Sequence, residues 1–442
     1  MKSVVVMIAF GLLASVAVAG LSGTYTIKPA GGGDFQSIYE ASNALDSVGM
    51  SGNCVFEVYG DSQDGNCYLN QTASSDSWTT TFRPGPGAHP VFFEGSFDAS
   101  GYDNVKIESL TFAFVRITAS SCSGWRISGC SITGNSDGGI EFENSTGDTV
   151  DGNTLDSWSS GAARYSPIHL NGGSDNLLFN NFVNSESTNV TELVWIDHTR
   201  NARCLFNTLR MSVFEVGSGC CIWVSGEHPQ SAPCEIRNNI FVLARPADSL
   251  SGNACVSLPD SGVDSIVLDY NCYFVESLGV IGERPSHPNL YNWAEWRGFG
   301  FEAHGINRDP TLVSATDLHL RQGSPCNTRA TPIAGINSDI DGDPRDPTHP
   351  DMGADEITGG AVGEAPSAEV QTAKRLPTVV RGVLSLPEAP SRKPQAASLL
   401  DATGRRVMEL HSGANDVRAL APGVYFVQGT CAKTLCKVVL TK

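Results

Sequence analysis

Eight polar or aromatic side chains recur at matching positions in five short segments, and their types could support chemistry on a sugar. They are Arg116, Glu141, Glu143, His169, Asn171, Trp195, Asp197 and Trp223. Two carboxyl groups ~5 to ~9.5 Å apart can cleave a glycosidic bond as acid and base or as acid and nucleophile. Exposed tryptophan faces suit stacking against sugar rings. The residue types therefore favour a carbohydrate site, which could be catalytic or only bind.

The five segments alternate apolar and polar residues, so alternate side chains should face outward from a strand. The segments are residues 115–118, 140–143, 168–171, 194–197 and 222–225. Stacked in register, they give one outward column of Arg116, Glu141, His169, Trp195 and Trp223, and a second of Thr118, Glu143, Asn171, Asp197 and Ser225. At ~4.8 Å between strands, Glu141 lies beside His169, and Glu143 lies ~10 Å from Asp197. The catalytic candidates are Glu141, Glu143, His169 and Asp197, and the substrate-binding candidates are Arg116, Asn171, Trp195 and Trp223.

A polysaccharide lyase would need other groups: a base that removes a proton beside a uronate carboxylate, and positive charge that stabilises the resulting anion. Lysine is absent between Lys106 and Lys374. The charge would have to come from Arg116, Arg164 or Arg200, with calcium held by the acids as a further alternative. Any solvated strand face carries similar polar residues, so a lyase, a hydrolase and a non-catalytic surface all stay open.

A second series of seven segments ends in a recurring corner residue. The corner residues are Leu110, Cys130, Asn153, Asn181, Asn207, Asn239 and Asn271. Asn153, Asn181 and Asn207 are spaced by 28 and 26 residues, and the segments that start at 140, 168 and 194 keep the same two intervals. Each unit is too short for a strand–helix–strand crossover and shows only period-2 alternation. Such units cannot bury an apolar face alone, so they must stack on one another.

The recurring asparagine suits both a bend and a ladder. Asparagine tolerates the left-handed backbone region, and stacked asparagine side chains can hydrogen-bond along the stacking axis. The spacing and the corner resemble the right-handed parallel β-helix of the pectate-lyase-like superfamily over roughly residues 100–358. The resemblance implies an all-β, right-handed parallel β-helix solenoid and a polysaccharide held on an outward strand face. The Asp-Asp and Gly-His-Gly motifs of polygalacturonases and an intact pectate lyase Arg motif are absent from the sequence, so the resemblance is one of fold.

Residues 20–100 are predicted to cap the first end of this solenoid, and residues 101–358 to form the solenoid with its closing segment. An amphipathic helix over 35–45, with Asp34 as its N-cap, would cover the open end. Extended segments are predicted at 54–59 and 91–93. The phrase from Tyr25 to Phe35 is similar to the opening of many secreted β-helix proteins.

The segment 288–358 resembles the closing segment of the same family. Asp339, Asp341 and Asp343 alternate as in a calcium loop, but Pro344 stands where an EF-hand has glycine. We expect these acids to make turns and to contact Arg345, with calcium as the alternative. Because the sequence has no Cys-x2-Cys spacing of a structural zinc site, we expect no metal or other cofactor besides.

The start of the chain indicates export. Lys2 precedes an uncharged apolar run over 4–18, and the run ends in small residues up to Ala19, so residues 1–19 are predicted to be a signal peptide. The run is shorter than the ~20 residues of a membrane-spanning helix, so no span is expected after signal removal. The formal net charge of −18 argues against nucleic acid as a partner. We expect a secreted or surface-attached monomer.

The end of the chain is predicted to be a linker over 359–377 and a small β-sandwich over 378–442. The linker is rich in Gly, Ala, Glu, Ser and Pro and lacks periodicity. The module resembles the C-terminal sorting domain of cargo of the type IX secretion system. The matching residues are Asp401, Gly404, Arg405, Gly423, Val424, Tyr425, Phe426 and the terminal strand at 437–442, although no clear Asn-Pro stands near its start. The resemblance implies the secretion machinery as a partner, and an accessory β-sandwich is the alternative.

Thirteen cysteines in an exported chain suggest disulfides, and the odd number leaves at least one unpaired. The predicted pairs are Cys431–Cys436, across a hairpin turn, and Cys54–Cys67. Cys130 and Cys272 fall on repeat positions and are expected to be small buried side chains.

Two classes of function remain. The first is an extracellular or cell-surface protein that binds glycan or forms a structural spacer. The second is a polysaccharide lyase or glycoside hydrolase that acts on the outward strand face.

Overall fold

The computed structural model is built mainly of β-strands and divides into two compact units, Met1–Gly359 and Gly360–Lys442. It describes residues 20–60, 66–70, 77–135, 139–159, 166–186, 191–212, 219–226, 231–244, 253–259, 262–276, 280–284, 289–357, 378–381, 383–386, 397–401, 405–411, 413–420, 423–428 and 435–441. The predicted signal peptide, the predicted linker and Arg164 lie outside these residues.

One large sheet of the first unit contains ten strands, all paired in parallel. Its strands are Leu21–Ile27, Met50–Val58, Thr80–Pro84, Val105–Glu108, Arg126–Ser128, Thr149–Asp151, Leu177–Phe179, Arg203–Leu205, Cys234–Arg237 and Ile266–Asp269. The last seven are those that precede the predicted corner residues. Their register matches the predicted alignment, since Ile127 pairs with Val150 and Val150 with Leu178.

The other large sheet contains seventeen strands and is parallel except at one pair near its end. Its strands are Cys67–Asn70, Val91–Ser100, Thr111–Ser120, Ser131–Asn135, Gly139–Glu143, Thr154–Ser159, Ile168–Asn171, Phe182–Ser185, Glu192–Asp197, Thr208–Ser212, Cys220–Ser225, Ile240–Ala244, Ala254–Ser257, Cys272–Val275, Val280–Arg284, Asn289–Tyr291 and Ile306–Asn307. Beyond Thr111–Ser120 this sheet runs as two rows, because the first half of that strand pairs with Ser131–Asn135 and the second half with Gly139–Glu143.

Each central repeat therefore adds one strand to the ten-stranded sheet and two strands to the seventeen-stranded sheet. The inward side chains of both sheets form one apolar core, in which Ile127, Ile132 and Phe142 are almost fully buried. Strands of residues 20–100 belong to the same two sheets. The described chain is thus all-β with large parallel sheets, as predicted, and this arrangement is compatible with a parallel β-helix.

The predicted asparagine ladder is present at the corner after the ten-stranded sheet. Each side-chain amide donates to the carbonyl oxygen of the next asparagine, at 2.9–3.1 Å, from Asn153 through Asn181, Asn207 and Asn239 to Asn271. The prediction that these asparagines take the left-handed conformation was wrong. The left-handed residue is the one before each of them, as in Asn180 (φ 54°) and Phe206 (φ 53°), and this leaves the ladder side chain free to point inward.

The first end of the sheets carries the predicted helix with a different start. The helix spans Ile38–Val48, and Ser37 is its N-cap because its side chain accepts from the Glu40 N–H. Asp34, predicted as the cap, instead accepts hydrogen bonds from the main-chain N–H and the hydroxyl of Thr26. The predicted extended segments are parts of longer strands.

The closing segment contains the strand Asn289–Tyr291, then the short helix Trp293–Gly298, then the last strand of the seventeen-stranded sheet, Ile306–Asn307; the 3-10 turn Val263–Ser265 lies before it in the chain. The closing segment packs on outward apolar residues at the ladder corner, where the Arg345 guanidinium lies 4.1 Å from the Phe206 ring. Arg345 forms its ion pair with Glu356, at 3.2 Å. The prediction that an aspartate would pair with Arg345 was therefore wrong. Asp339 makes turns as predicted, since its carboxylate accepts three main-chain N–H groups.

The second unit contains a five-stranded sheet and a two-stranded antiparallel sheet. The five strands, in spatial order, are Thr378–Arg381, Leu435–Thr441, Gly423–Gln428, Ala397–Asp401 and Arg406–Leu410, and the other two are Val383–Leu386 and Gly413–Asp416. Gly423–Gln428 and Leu435–Thr441 form the predicted antiparallel pair. Cys431 lies outside the described residues, so its predicted bond to Cys436 stays a prediction. Among the described helices of the chain, none combines the length and apolar character needed to cross a membrane.

The predicted Cys54–Cys67 disulfide was wrong, because both residues are free and buried. Cys54 lies in the ten-stranded sheet and Cys67 in the seventeen-stranded sheet, and the Cys54 thiol donates to the Gly52 carbonyl. Cys130 and Cys272 are buried and free, as expected of small core side chains. Burial raises the pKa of the Cys54 thiol from 9.0 to about 11, which lowers its thiolate fraction ~100-fold at neutral pH.

We therefore expect an alkylating reagent to leave Cys54 and Cys67 unmodified in the native protein and to modify both after denaturation without a reductant. Peptide mass spectrometry of the two samples measures this. Modification that appears only after a reductant is added would show a disulfide and contradict the structure.

Candidate functional site

The seventeen-stranded sheet carries an outward column of four predicted site residues on adjacent strands, in the row of strands that starts with Gly139–Glu143. Glu141, His169, Trp195 and Trp223 are direct register partners in Gly139–Glu143, Ile168–Asn171, Glu192–Asp197 and Cys220–Ser225. The strands form because an inward apolar residue, such as Phe142 or Leu170, alternates with each outward one. The column is therefore set by parallel register.

The predicted position of Arg116 in this column was wrong by two residues. Arg116 pairs with Gly139, whereas Thr118 lies opposite Glu141 and Ser120 opposite Glu143. The long arginine side chain nevertheless reaches the carboxylate, since Arg116 Nη2 donates to Glu141 Oε2. Arg116 and Glu141 therefore form an ion pair along a diagonal between the two strands.

The carboxylate of Glu141 lies between the guanidinium of Arg116 and the imidazole of His169. On the side away from Arg116, His169 Nδ1 lies 3.4 Å from Glu141 Oε1. The contact with His169, together with the positive charge of Arg116, lowers the pKa of Glu141 despite its partial burial. Glu141 is therefore ionised at neutral pH and cannot act there as a proton-donating acid.

The aromatic residues of the column stack on one another. The His169 and Trp195 ring centroids are 4.2 Å apart, the Trp195 and Trp223 centroids are 4.9 Å apart, and both interplanar angles are 7°. Trp195 also donates from Nε1 to Ser225 Oγ at 2.8 Å. Both faces of Trp195 are covered, so the predicted stacking of a sugar on Trp195 is excluded. A ligand can reach only the edge of the Trp195 ring.

A cavity of about 210 Å³ opens at the end of this stack. Its lining includes four predicted residues, Arg116, Glu141, His169 and Trp195, together with Gly139, Ile140 and Ser166. His169 Nε2 is buried and has no hydrogen-bond partner among the described residues. The cavity thus offers a cation, an anion and an imidazole nitrogen within one concave space.

The second outward column lies outside this cavity. Glu143 accepts a hydrogen bond from Ser120 Oγ at 3.0 Å, and Asp197 accepts one from His198 Nδ1 at 2.7 Å. Asn171 separates them in register, so their strands are two steps, or ~10 Å, apart. That spacing is at or beyond the upper end of the range for paired glycosidase carboxylates.

Ser166 is a lining residue that the sequence did not point to. Its hydroxyl donates to Glu192 Oε1 at 2.9 Å, and both residues are buried. The sequence signal that could have identified Ser166 was its position two residues before Ile168, in register with Glu192.

Gly139 has φ 142° and stands so close to the Pro167 carbonyl that a Cβ would meet its oxygen at 2.9 Å. Arg200 joins Ser174 in an isolated bridge and does not line the cavity.

Comparison of the chain with protein-family models, with curated proteins and with solved structures found no match.

Proposed function

We propose that this chain is an exported right-handed parallel β-helix protein that binds a glycan in the cavity at Arg116, Glu141 and His169. The observation that carries the proposal is the cavity itself, in which charged groups and an aromatic edge converge on a space of about 210 Å³. Sugar sites commonly combine a few placed polar groups with aromatic surface. The parallel register of the three-strand repeats supports the β-helix.

Binding fits this geometry better than hydrolysis does. A glycosidase needs one carboxyl group with a raised pKa as its acid and a second within ~9.5 Å. Glu141 has a lowered pKa because of His169 and Arg116, and Glu143 and Asp197 lie outside the cavity on strands ~10 Å apart. The ionised Glu141 would accept hydrogen bonds from sugar hydroxyl groups, and Arg116 would donate them.

One observation favours a lyase as the second candidate. His169 Nε2 has no partner among the described residues and shares the cavity with Arg116. An imidazole nitrogen could remove the proton beside a uronate carboxylate while an arginine stabilises the anion. Against this, Glu141 already neutralises Arg116.

Delivery is proposed to follow from the two ends of the chain. Residues 1–19 would direct export, and the module 378–442 would engage a type IX-like secretion machinery, so that the glycan site acts outside the cell or on its surface. The antiparallel pairing of the terminal strand Leu435–Thr441 with Gly423–Gln428 supports such a compact module.

The test is affinity electrophoresis of the full-length protein through gels that contain neutral or uronate-bearing polysaccharides, with product analysis of the same mixtures. We expect retardation by at least one polymer, weakened ~10- to ~100-fold in Glu141→Gln because a charge-assisted hydrogen bond is lost. New reducing ends would indicate hydrolysis, and unsaturated products would indicate a lyase.

Glu235→Gln is the matched control. Glu235 is an outward glutamate of the ten-stranded sheet that pairs with Arg203 at 2.6 Å, as Glu141 pairs with Arg116. Its substitution should leave retardation unchanged. Equal weakening in both variants, or no retardation of the wild type by any polymer, would overturn the binding site.

A further inference from the structure

A cluster of metal-ligating side chains lies in the closing segment, apart from the glycan cavity. His319, Asp341 and Asp355 offer a ring nitrogen and two carboxylate oxygens, and these atoms all lie within 4.8 Å of one another. The residues come from three separate parts of the segment, none of them in a helix or strand. The cluster therefore links parts of the chain that share little regular secondary structure.

The hydrogen bonding of His319 orients one ring nitrogen toward the cluster. Its Nδ1 lies 2.5 Å from Asp317 Oδ1, and its Nε2 lies 3.0 Å from Asp341 Oδ2. A neutral imidazole can donate to only one of two carboxylates. A proton or a metal ion must therefore lie between Nε2 and Asp341, and a carboxylate on the far nitrogen is the usual partner of a metal-binding histidine.

Asp355 contributes a mostly buried carboxylate with one oxygen left for a ligand. The residue is only 7% exposed, and its Oδ2 accepts the Leu320 N–H at 2.7 Å. Its second oxygen accepts no hydrogen bond from the part of the chain that the structure describes, and it is not fully enclosed, so it is open to a ligand. The Asp355 carboxylate belongs to a group whose ligand atoms already converge.

We propose that His319, Asp341 and Asp355 bind a divalent first-row transition ion such as Zn²⁺, with Asp317 as the positioning residue on His319 Nδ1. One nitrogen and two carboxylate oxygens suit zinc, whereas calcium prefers oxygen ligands alone. Two ligands ~2.1 Å from a tetrahedral ion lie ~3.4 Å apart, close to the 3.0 Å between Nε2 and Asp341 Oδ2. Asp339 takes no part, because both its oxygens accept main-chain N–H groups.

The bound ion would cross-link parts of the closing segment where that segment packs against the sheets. His319 packs edge-on against Phe182 with ring centroids 4.8 Å apart, and Phe182 belongs to the seventeen-stranded sheet. Binding to the folded protein alone would stabilise it by mass action. The role assigned to the ion is structural.

The test uses the full-length protein freed of metal with a chelator, then titrated with Zn²⁺ by calorimetry and with Co²⁺ by visible absorption. We expect one ion per chain, a cobalt d–d band, and a rise in melting temperature with Zn²⁺. Asp317→Asn should weaken binding ~10- to ~100-fold and shift the cobalt band, which a purely structural role would not do. His319→Gln and Asp355→Asn should weaken binding further.

Asp343→Asn is the control, because Asp343 is an exposed acid of the same turn outside the cluster. It should bind as the wild type does. If His319→Gln does not fold, the half-exposed Asp341→Asn replaces it. Absence of Zn²⁺ binding in the wild type would show that a proton occupies the site, and unchanged binding in the cluster variants would place the ion elsewhere, so either result overturns the proposal.

Discussion

Replacing Asn207 with alanine is expected to lower the free energy of unfolding by about 3 to 6 kcal/mol, because Asn207 lies in the middle of the buried asparagine ladder. Its carbonyl oxygen accepts from the Asn181 main-chain N–H at 3.0 Å, and its amide donates to the Leu178 and Leu205 carbonyls at 3.0 Å each. An alanine leaves these buried groups without those partners. Each orphaned group costs roughly 1–3 kcal/mol, a large part of a total that is typically 5–15 kcal/mol.

Chemical denaturation measures the effect, and Asn307→Ala is the matched control. Asn307 is an exposed strand residue, and its side chain makes no hydrogen bond to the described residues. Its substitution should change stability by less than ~0.5 kcal/mol. Equal small losses in both variants would mean that the ladder contributes little to stability.

The ladder shows what the sequence could predict about the fold. The repeated intervals fixed the register of seven strands, because an apolar inward face tolerates no slip by one residue. The corner conformation could not be read in the same way. Asn180, Phe206 and Tyr270 all adopt positive φ there, so the left-handed position carries no constant residue type. The constant asparagine marks the inward hydrogen bond instead.

The misplacement of Arg116 has a related physical cause. A period of two leaves a slip by two residues undetected, since Val115 and Ile117 both point inward and Arg116 and Thr118 both point outward. The accompanying corner interval, from Cys130 to Asn153, is 23 residues and not 25, and it would have placed Ile117 opposite Ile140, as the structure does. The register is set by the whole of Thr111–Ser120, which pairs with different strands in its two halves.

The aromatic stack was predictable in principle from the predicted column. Rings on parallel strands ~4.8 Å apart must cover one another when they share a register position, so the faces between them are unavailable to a sugar. The cluster around His319 was not predictable in this way. Asp341 and Asp355 lie 22 and 36 residues beyond His319 in turns without periodicity, and only the folded closing segment brings them together.

The free energy of unfolding is also expected to fall as the pH rises from about 5 to about 8, because the carboxyl group of Glu302 loses its proton over this range. Glu302 is fully buried at the end of the ladder, where it accepts from Asn271 Nδ2 at 2.7 Å and from the Tyr273 hydroxyl at 2.8 Å. Burial raises the pKa of its carboxyl group from 4.5 to about 7. Between these values the folded state holds a proton that the unfolded state releases, so a higher pH favours unfolding by about 3 kcal/mol in total.

Glu302→Gln should remove this part of the pH dependence, because glutamine stays neutral in both states. The difference in unfolding free energy between variant and wild type should therefore shift by about 2.5 kcal/mol in favour of the variant from pH 5 to pH 8. Buried Asp148 and Asp351, whose pKa values burial raises to about 7 and about 6, are present in both proteins and cancel from the difference. Asp34→Asn is the control: hydrogen bonds from Thr26 lower the Asp34 pKa, so its contribution changes only below pH ~4, and its curve should run parallel to the wild type between pH 5 and 8. Parallel curves for Glu302→Gln as well would mean that the carboxylate is ionised in the folded protein and that the ladder ends on a charge.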